Sequence, residues 1–339
     1  SWVLPKLPHE VLNDLIGNLL GYLPLGLVMC LAFLRSGVGV LRSALMSVAF
    51  GSGWSYGLEL ILYTLPARVP SISDWTLNTL GAAWGALAAV TIHALGVVDI
   101  WHRWREKWFI PEAGHGLALI WMWPLGLLFP PPLPLGQGQL WPTLRLHLVE
   151  WTHDTPWQSW LLPDDPLMLW GQLHETAVRP EWLGWTEIAT VALGLMAPMC
   201  VACAFARPRL TRMLLLTGAV WVAVATTTVS TAVNFGVQHA LTWVSVPVIW
   251  GLLLGSLGGV VLLDRSRTTC AVLGVCVLLG LIALIHLAPV DPYYAQTLQA
   301  WEHGRFIRFH GLSRWFGLLW PYVALSWLLV RLFQRDTGA

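Results

Sequence analysis

Nine windows of roughly twenty apolar residues recur along this chain, near residues 11–34, 41–63, 74–98, 114–131, 187–206, 212–233, 243–263, 269–287 and 313–333. Hydrocarbon offers no partner to backbone N–H and C=O groups, so such stretches fold as helices whose hydrogen bonds are internal. Composition agrees: of 339 residues, 56% are hydrophobic and 11% charged, and the mean hydropathy is +0.63. The expected fold is all-α, a polytopic transmembrane helix bundle of about nine spans.

Charge sorts the loops. If the helices alternate in direction, Arg35, Arg42, Arg103, Arg105, Lys107, Arg207, Arg209, Arg212, Arg265, Arg267, Arg331 and Arg335 fall on one side, 12 of the 19 basic residues. Short loops rich in Lys and Arg stay in the cytoplasm, which puts residue 1 outside and the C-terminus inside. The near-zero formal charge of +1 hides this asymmetry and argues against a nucleic-acid partner.

Three regions follow from this topology. Residues 1–110 hold three spans and an interfacial helix at 99–112, where Trp101, Trp104 and Trp108 alternate with Arg103, Arg105 and Lys107. Residues 111–186 hold one span and an external Trp-rich cap, which opens on Pro130, Pro131, Pro132 and Pro134 and carries Trp141, Trp151, Trp157, Trp160, Trp170, Trp182 and Trp185. Residues 187–339 hold five spans with an external segment at 288–312. The five cysteines fall in apolar helices or at their ends, where they act as small hydrophobes, and Cys200 and Cys203 lack the strand-helix setting of a redox motif.

The most polar part of this apolar chain is Glu59–Gly85. Glu59 closes one apolar helix, a proline-bounded loop carries Arg68 and Ser71, and the next helix opens with Ser73 and Asp74, with Asn78 a turn later. Asn18 precedes an expected kink at Pro24 in the first span. Asp74 and Asn78 share a helix face that Gly81 and Gly85 continue, inviting close approach of another backbone. Two readings of these residues stay open: an ion-pair and amide network that staples three helices, or an outward-facing cradle for a phosphate or polar headgroup.

The order Asn18, GYLPLG at 21–26, Glu59 and PARVPSISDWTLNTLGAAWG at 66–85 resembles the VanZ-like family of membrane proteins. The family pattern R-x-x-S-x-x-D-x-x-x-N-x-x-G is met here by Arg68, Ser71, Asp74, Asn78 and Gly81, over about the first third of the chain. The resemblance implies an integral protein of the bacterial cytoplasmic membrane, of a family associated with teicoplanin resistance. The rest of the chain is similar to the long Gram-negative members. Many members begin with a helix not seen before residue 1, so an earlier span is expected; it would place both ends inside.

A second polar patch, between Asp291 and Trp315, holds His303, Arg305, Arg308 and His310, external cations that call for an acidic cap residue or a lipid phosphate. His303 and His310 make a poor metal pair, and no nucleophile-base pair or diphosphate-type Asp cluster is visible, so no catalytic residue, metal or cofactor is assigned. Three functions are carried forward. The first is binding of an envelope lipid, anionic or a lipid-linked precursor, at the outer leaflet through Asn18, Glu59, Arg68, Ser71, Asp74, Asn78, His303, Arg305 and Arg308. The second is an accessory subunit of a membrane complex, with Gly255, Gly258 and Gly259 meeting the partner protein. The third is an enzyme acting on a lipid headgroup, with Glu59 or Asp74 as base.

Overall fold

The computed structural model describes residues 9–62, 72–140, 182–287 and 307–333, with Leu144, Leu148, Trp151, Thr152, Thr155 and Trp157. Ten α-helices are described: α1 His9–Arg35, α2 Val40–Leu62, α3 Ile72–Ala94, α4 Val97–Trp108, α5 Gly114–Leu127, α6 Leu183–Phe205, α7 Leu210–Phe235, α8 Val246–Val261, α9 Arg267–Leu287 and α10 Ile307–Phe333. Each of the nine apolar windows coincides with a helix, and the tenth, α4, covers most of the segment expected to lie at the interface. Among the described residues five helices are long and apolar enough to cross a membrane, α1, α6, α7, α9 and α10, and the pair α3–α4, bent by 70°, makes a sixth if the two together form one broken span. The chain is thus a multi-pass membrane protein, although nine full spans are not found among the described residues. The serines and Glu59 of α2 dilute its apolarity, and α5 and α8, with 14 and 16 residues, are short for a bilayer.

The chain divides into two compact units, Ser1–Lys107 and Trp108–Ala339. In the first, α1, α2 and α3 run up, down and up. Small residues bring them close: a Cβ on Gly81 or Gly85 would overlap the Leu19 or Leu23 carbonyl of α1, and one on Gly26 would strike the Ala82 backbone. These contacts replace a hydrophobic driving force that lipid does not supply. One face of α2 is Ser43, Ser47, Gly51 and Ser55, all buried, while Leu41, Leu45 and Trp54 are exposed on the other. Ser47 Oγ donates to the Gly26 carbonyl across the interface at 2.7 Å. At the end of α1 near Arg35 the packing is apolar, around Cys30, Ala86 and Ala89. Gly96, at φ +67°, turns the chain from α3 into α4, none of whose residues is buried.

The second unit is built around α6, buried on most of its circumference. Gly251, Gly255, Gly258 and Gly259 of α8 lie against Val191, Ala192, Met196 and Met199 of α6. The glycines expected to meet a partner protein are therefore spent inside the chain, where they let α8 approach α6. Phe205 packs on Phe109, with ring centroids 5.4 Å apart, and edge-on to Trp327 at 6.1 Å. The five cysteines are free thiols, four of them buried.

Arg212 is the unit's unusual core residue, 1% exposed. Its guanidinium donates to the carbonyls of Leu262 (2.9 Å), Leu263 (3.2 Å), Arg265 (2.6 Å) and Cys203 (3.0 Å). Those oxygens belong to the last turn of α6 and the coil leaving α8, where helix geometry leaves carbonyls without partners. Counted from sequence among the arginines of the short loops, Arg212 is found as a buried cap on two helix ends.

The segment 128–140 departs from expectation in the same direction. A proline run reads as a surface loop opening the Trp cap, yet Leu135 and Gln137 are 1% and 3% exposed. The segment is held by Ser230 Oγ on the Leu128 carbonyl (2.8 Å), Gln137 Nε2 on the Trp123 carbonyl (3.1 Å) and the Tyr322 hydroxyl on the Gly138 carbonyl (2.9 Å). Proline has no N–H to satisfy and the side chains supply the missing donors, so the coil can be buried without helix or sheet. Most of the expected cap, and the segment 288–306, lie outside the described residues; Trp151 and Trp157 are exposed.

Candidate functional site

At the end of the first unit opposite its apolar cluster, α1, α2 and α3 each contribute polar side chains to one seam. Asn18 of α1 is 9% exposed and its Nδ2 donates to Asp74 Oδ1 at 2.7 Å. The acceptor is a carboxylate in the first turn of α3, where the helix dipole favours negative charge, and a bond of this type is worth about 1.5–3 kcal/mol. One turn further along α3, Asn78 is 7% exposed and its Nδ2 donates to Ser55 Oγ of α2 at 2.9 Å. Ser55 is itself approached by the Tyr22 hydroxyl of α1, which lies within electrostatic reach of Glu59.

The outer edge of α3 is tied to α2 by a second set of bonds. Trp75 Nε1 donates to the Ser52 carbonyl (3.2 Å) and Oγ (3.1 Å), and Thr79 Oγ1 donates to Ser52 Oγ (3.1 Å). Trp75 also meets the ring of Tyr56 edge-on at 6.0 Å. These contacts fix α3 in rotation, so Asp74 and Asn78 stay turned toward α1 and α2.

One polar atom in the seam is left over. Asn78 Oδ1 is buried and has no hydrogen-bond partner among the described residues. A buried carbonyl without a donor costs about 1–3 kcal/mol, and with Nδ2 on Ser55 it is the carbonyl end of the amide that is left over. The seam can therefore accept a hydrogen bond from something further, such as a hydroxyl or an amine.

Of the nine residues predicted from sequence, the structure brings Asn18, Asp74 and Asn78 together and sets Glu59 on the adjoining turn of α2, where it is half-buried. Arg68, Ser71, His303 and Arg305 lie outside the described residues; Arg308 falls in the first turn of α10, and its side chain is not described. Ser55, Ser52 and Tyr22 were not foreseen. Ser55 has a trace in the sequence, the spacing of Ser43, Ser47, Gly51 and Ser55 every fourth residue that marks a small-residue face of α2, whereas Ser52 and Tyr22 fall outside that spacing.

No group of three or more His, Cys, Asp or Glu side chains with metal-binding geometry occurs among the described residues. No curated protein and no solved structure matches the chain. Residues 2–93 match the family model described as VanZ/LLP1, which spans α1, α2 and nearly all of α3, and the first unit of this membrane protein is accordingly VanZ-like.

Proposed function

We propose that the first unit binds the headgroup of an envelope lipid, an anionic phospholipid or a lipid-linked precursor, at the outer leaflet of the bacterial inner membrane. The observation that carries this reading is the buried Asn78 Oδ1, without a hydrogen-bond partner among the described residues and set in a polar seam among three largely apolar helices. A headgroup with hydroxyl or amino donors satisfies that oxygen and is compatible with the carboxylates of Asp74 and Glu59. Its phosphate falls to Arg68, which lies between α2 and α3 in the sequence and outside the described residues. The Asn18–Asp74 and Asn78–Ser55 bonds hold the acceptors in place before the ligand arrives, which reduces the ordering cost of binding.

The test is native mass spectrometry of the full chain released from bilayers containing anionic phospholipid. The wild type is expected to retain an anionic lipid or lipid-linked species through activation that strips zwitterionic lipid, and Asn78→Leu and Arg68→Gln to retain it at least about fivefold less. Equal retention by all three proteins would refute the reading.

A further inference from the structure

The second unit contains another arrangement that does not close on itself. Leu135 lies against Gly194, near the middle of α6, and Gly138 lies against Pro321, near the middle of α10. Both helices are long and apolar enough to cross a membrane, and the coil at 133–138 lies level with their middles. Non-helical backbone at that depth is tolerated where it is buried in protein or lines a cavity, and here it does both.

Beside this coil lies a small, open cleft against α10, with Gly126, Gln137, Gly138, Arg314 and Gly317 on its walls. Arg314 belongs to the membrane-crossing part of α10 and is half-buried. Its guanidinium carbon stands 6.0 Å from the centre of the Phe129 ring, a cation–π contact that orients the group without using its N–H donors. An arginine inside a span is costly and faces a partner or a watered cavity. Gln137, 97% buried, spends its Nε2 on the Trp123 carbonyl, and its Oε1 has no partner among the described residues. The cleft thus offers a cation and, separately, a buried acceptor, and these two groups do not satisfy one another.

We propose that this cleft is an intramembrane binding site for a phosphate ester that carries a hydroxyl or amine beside the phosphate. Arg314 takes the phosphate and Gln137 Oε1 accepts from the neighbouring donor. Gly126 and Gly317 let α5 and α10 touch at the wall of the cleft, and Gly138, at φ +108°, holds a conformation that a side chain would strain. A glycerophospholipid headgroup and a small soluble phosphate ester share this chemistry. The site is separate in residues from the seam of the first unit and does not depend on it.

The experiment uses the full chain in phosphatidylcholine nanodiscs, with and without phosphatidylglycerol, read by native mass spectrometry, and with glycerol 3-phosphate, read by calorimetry. Arg314→Gln is expected to weaken binding about tenfold, Arg314→Lys about threefold, because an ammonium lacks the two-pronged fork, and Gln137→Leu about fivefold. Arg314 is half-exposed, so its variants report even where Gln137→Leu fails to fold. Loss of retained phosphatidylglycerol in Arg314→Gln assigns the site to a lipid headgroup. A heat of glycerol 3-phosphate binding that Arg314→Gln abolishes, without lipid retention, assigns it to a soluble ester. Binding of neither probe, or binding that falls in Asn78→Leu but not in Arg314→Gln, overturns the proposal.

Discussion

Replacing Arg212 by Met should destabilise the second unit far more than loss of any exposed arginine. The side chain bridges four carbonyls at 2.6–3.2 Å, from the end of α6 and the coil after α8, while 1% exposed. Hydrogen bonds from a charged donor contribute about 1.5–3 kcal/mol each, and burying the guanidinium costs several kcal/mol in return. Met is of similar length and fills the space, so the loss reduces to carbonyls left facing an apolar group, about 3–5 kcal/mol in all. At about 2–4 °C per kcal/mol for a unit of this size, the unfolding midpoint in detergent should fall by about 10 °C. Arg212→Lys should fall part of the way, since an ammonium reaches fewer acceptors. Arg207→Gln, an exposed change nearby, is the control and should shift the midpoint by less than about 2 °C. An Arg212→Met midpoint that stays as close to wild type as the control would show that these carbonyls do not need the guanidinium.

Three further outcomes follow from the packing and the backbone. Gly85→Val should separate α1 from α3, because its side chain would overlap the Leu23 carbonyl; the expected loss is about 3 kcal/mol or more, read as early unfolding or loss of monodisperse elution. Ser47→Ala removes one interhelical bond to the Gly26 carbonyl and should lower stability by only about 0.6–1 kcal/mol, measured by the same unfolding scan. Arg209, exposed and at φ +71°, holds a conformation that glycine adopts freely, so Arg209→Gly should raise the midpoint by a few degrees.

The helices were legible because an apolar window of membrane length admits one backbone solution, and each of the nine windows became a helix. The polar end of the first unit was legible for a related reason: Asp74 and Asn78 in an apolar helix must face partners, and the four-residue spacing fixed their common side. What did not show was identity of partners across space. Asn18 and Asp74 are 56 residues apart, and Ser55 looked like any small residue in α2 until Asn78 was placed against it. Two rules that serve soluble chains misled. Prolines usually mark a surface loop, but in 128–140 they dispense with donors that burial would strand. Arginines beside a span usually stay in water, but Arg212 found enough carbonyls to be buried. The glycines of α8 were read as a docking stripe because their spacing shows close approach without showing to which helix.

The central claim is that the seam closed by Asn18, Asp74 and Asn78 faces the outer leaflet and holds a lipid headgroup there. The most direct measurement is labelling of Ser71→Cys, in a background lacking the five native cysteines, by a membrane-impermeant maleimide in intact cells and in vesicles with and without anionic lipid. The account predicts labelling from the external side, slowed when anionic lipid is present. Labelling only from the cytoplasmic side, or a rate indifferent to the lipid, would contradict it.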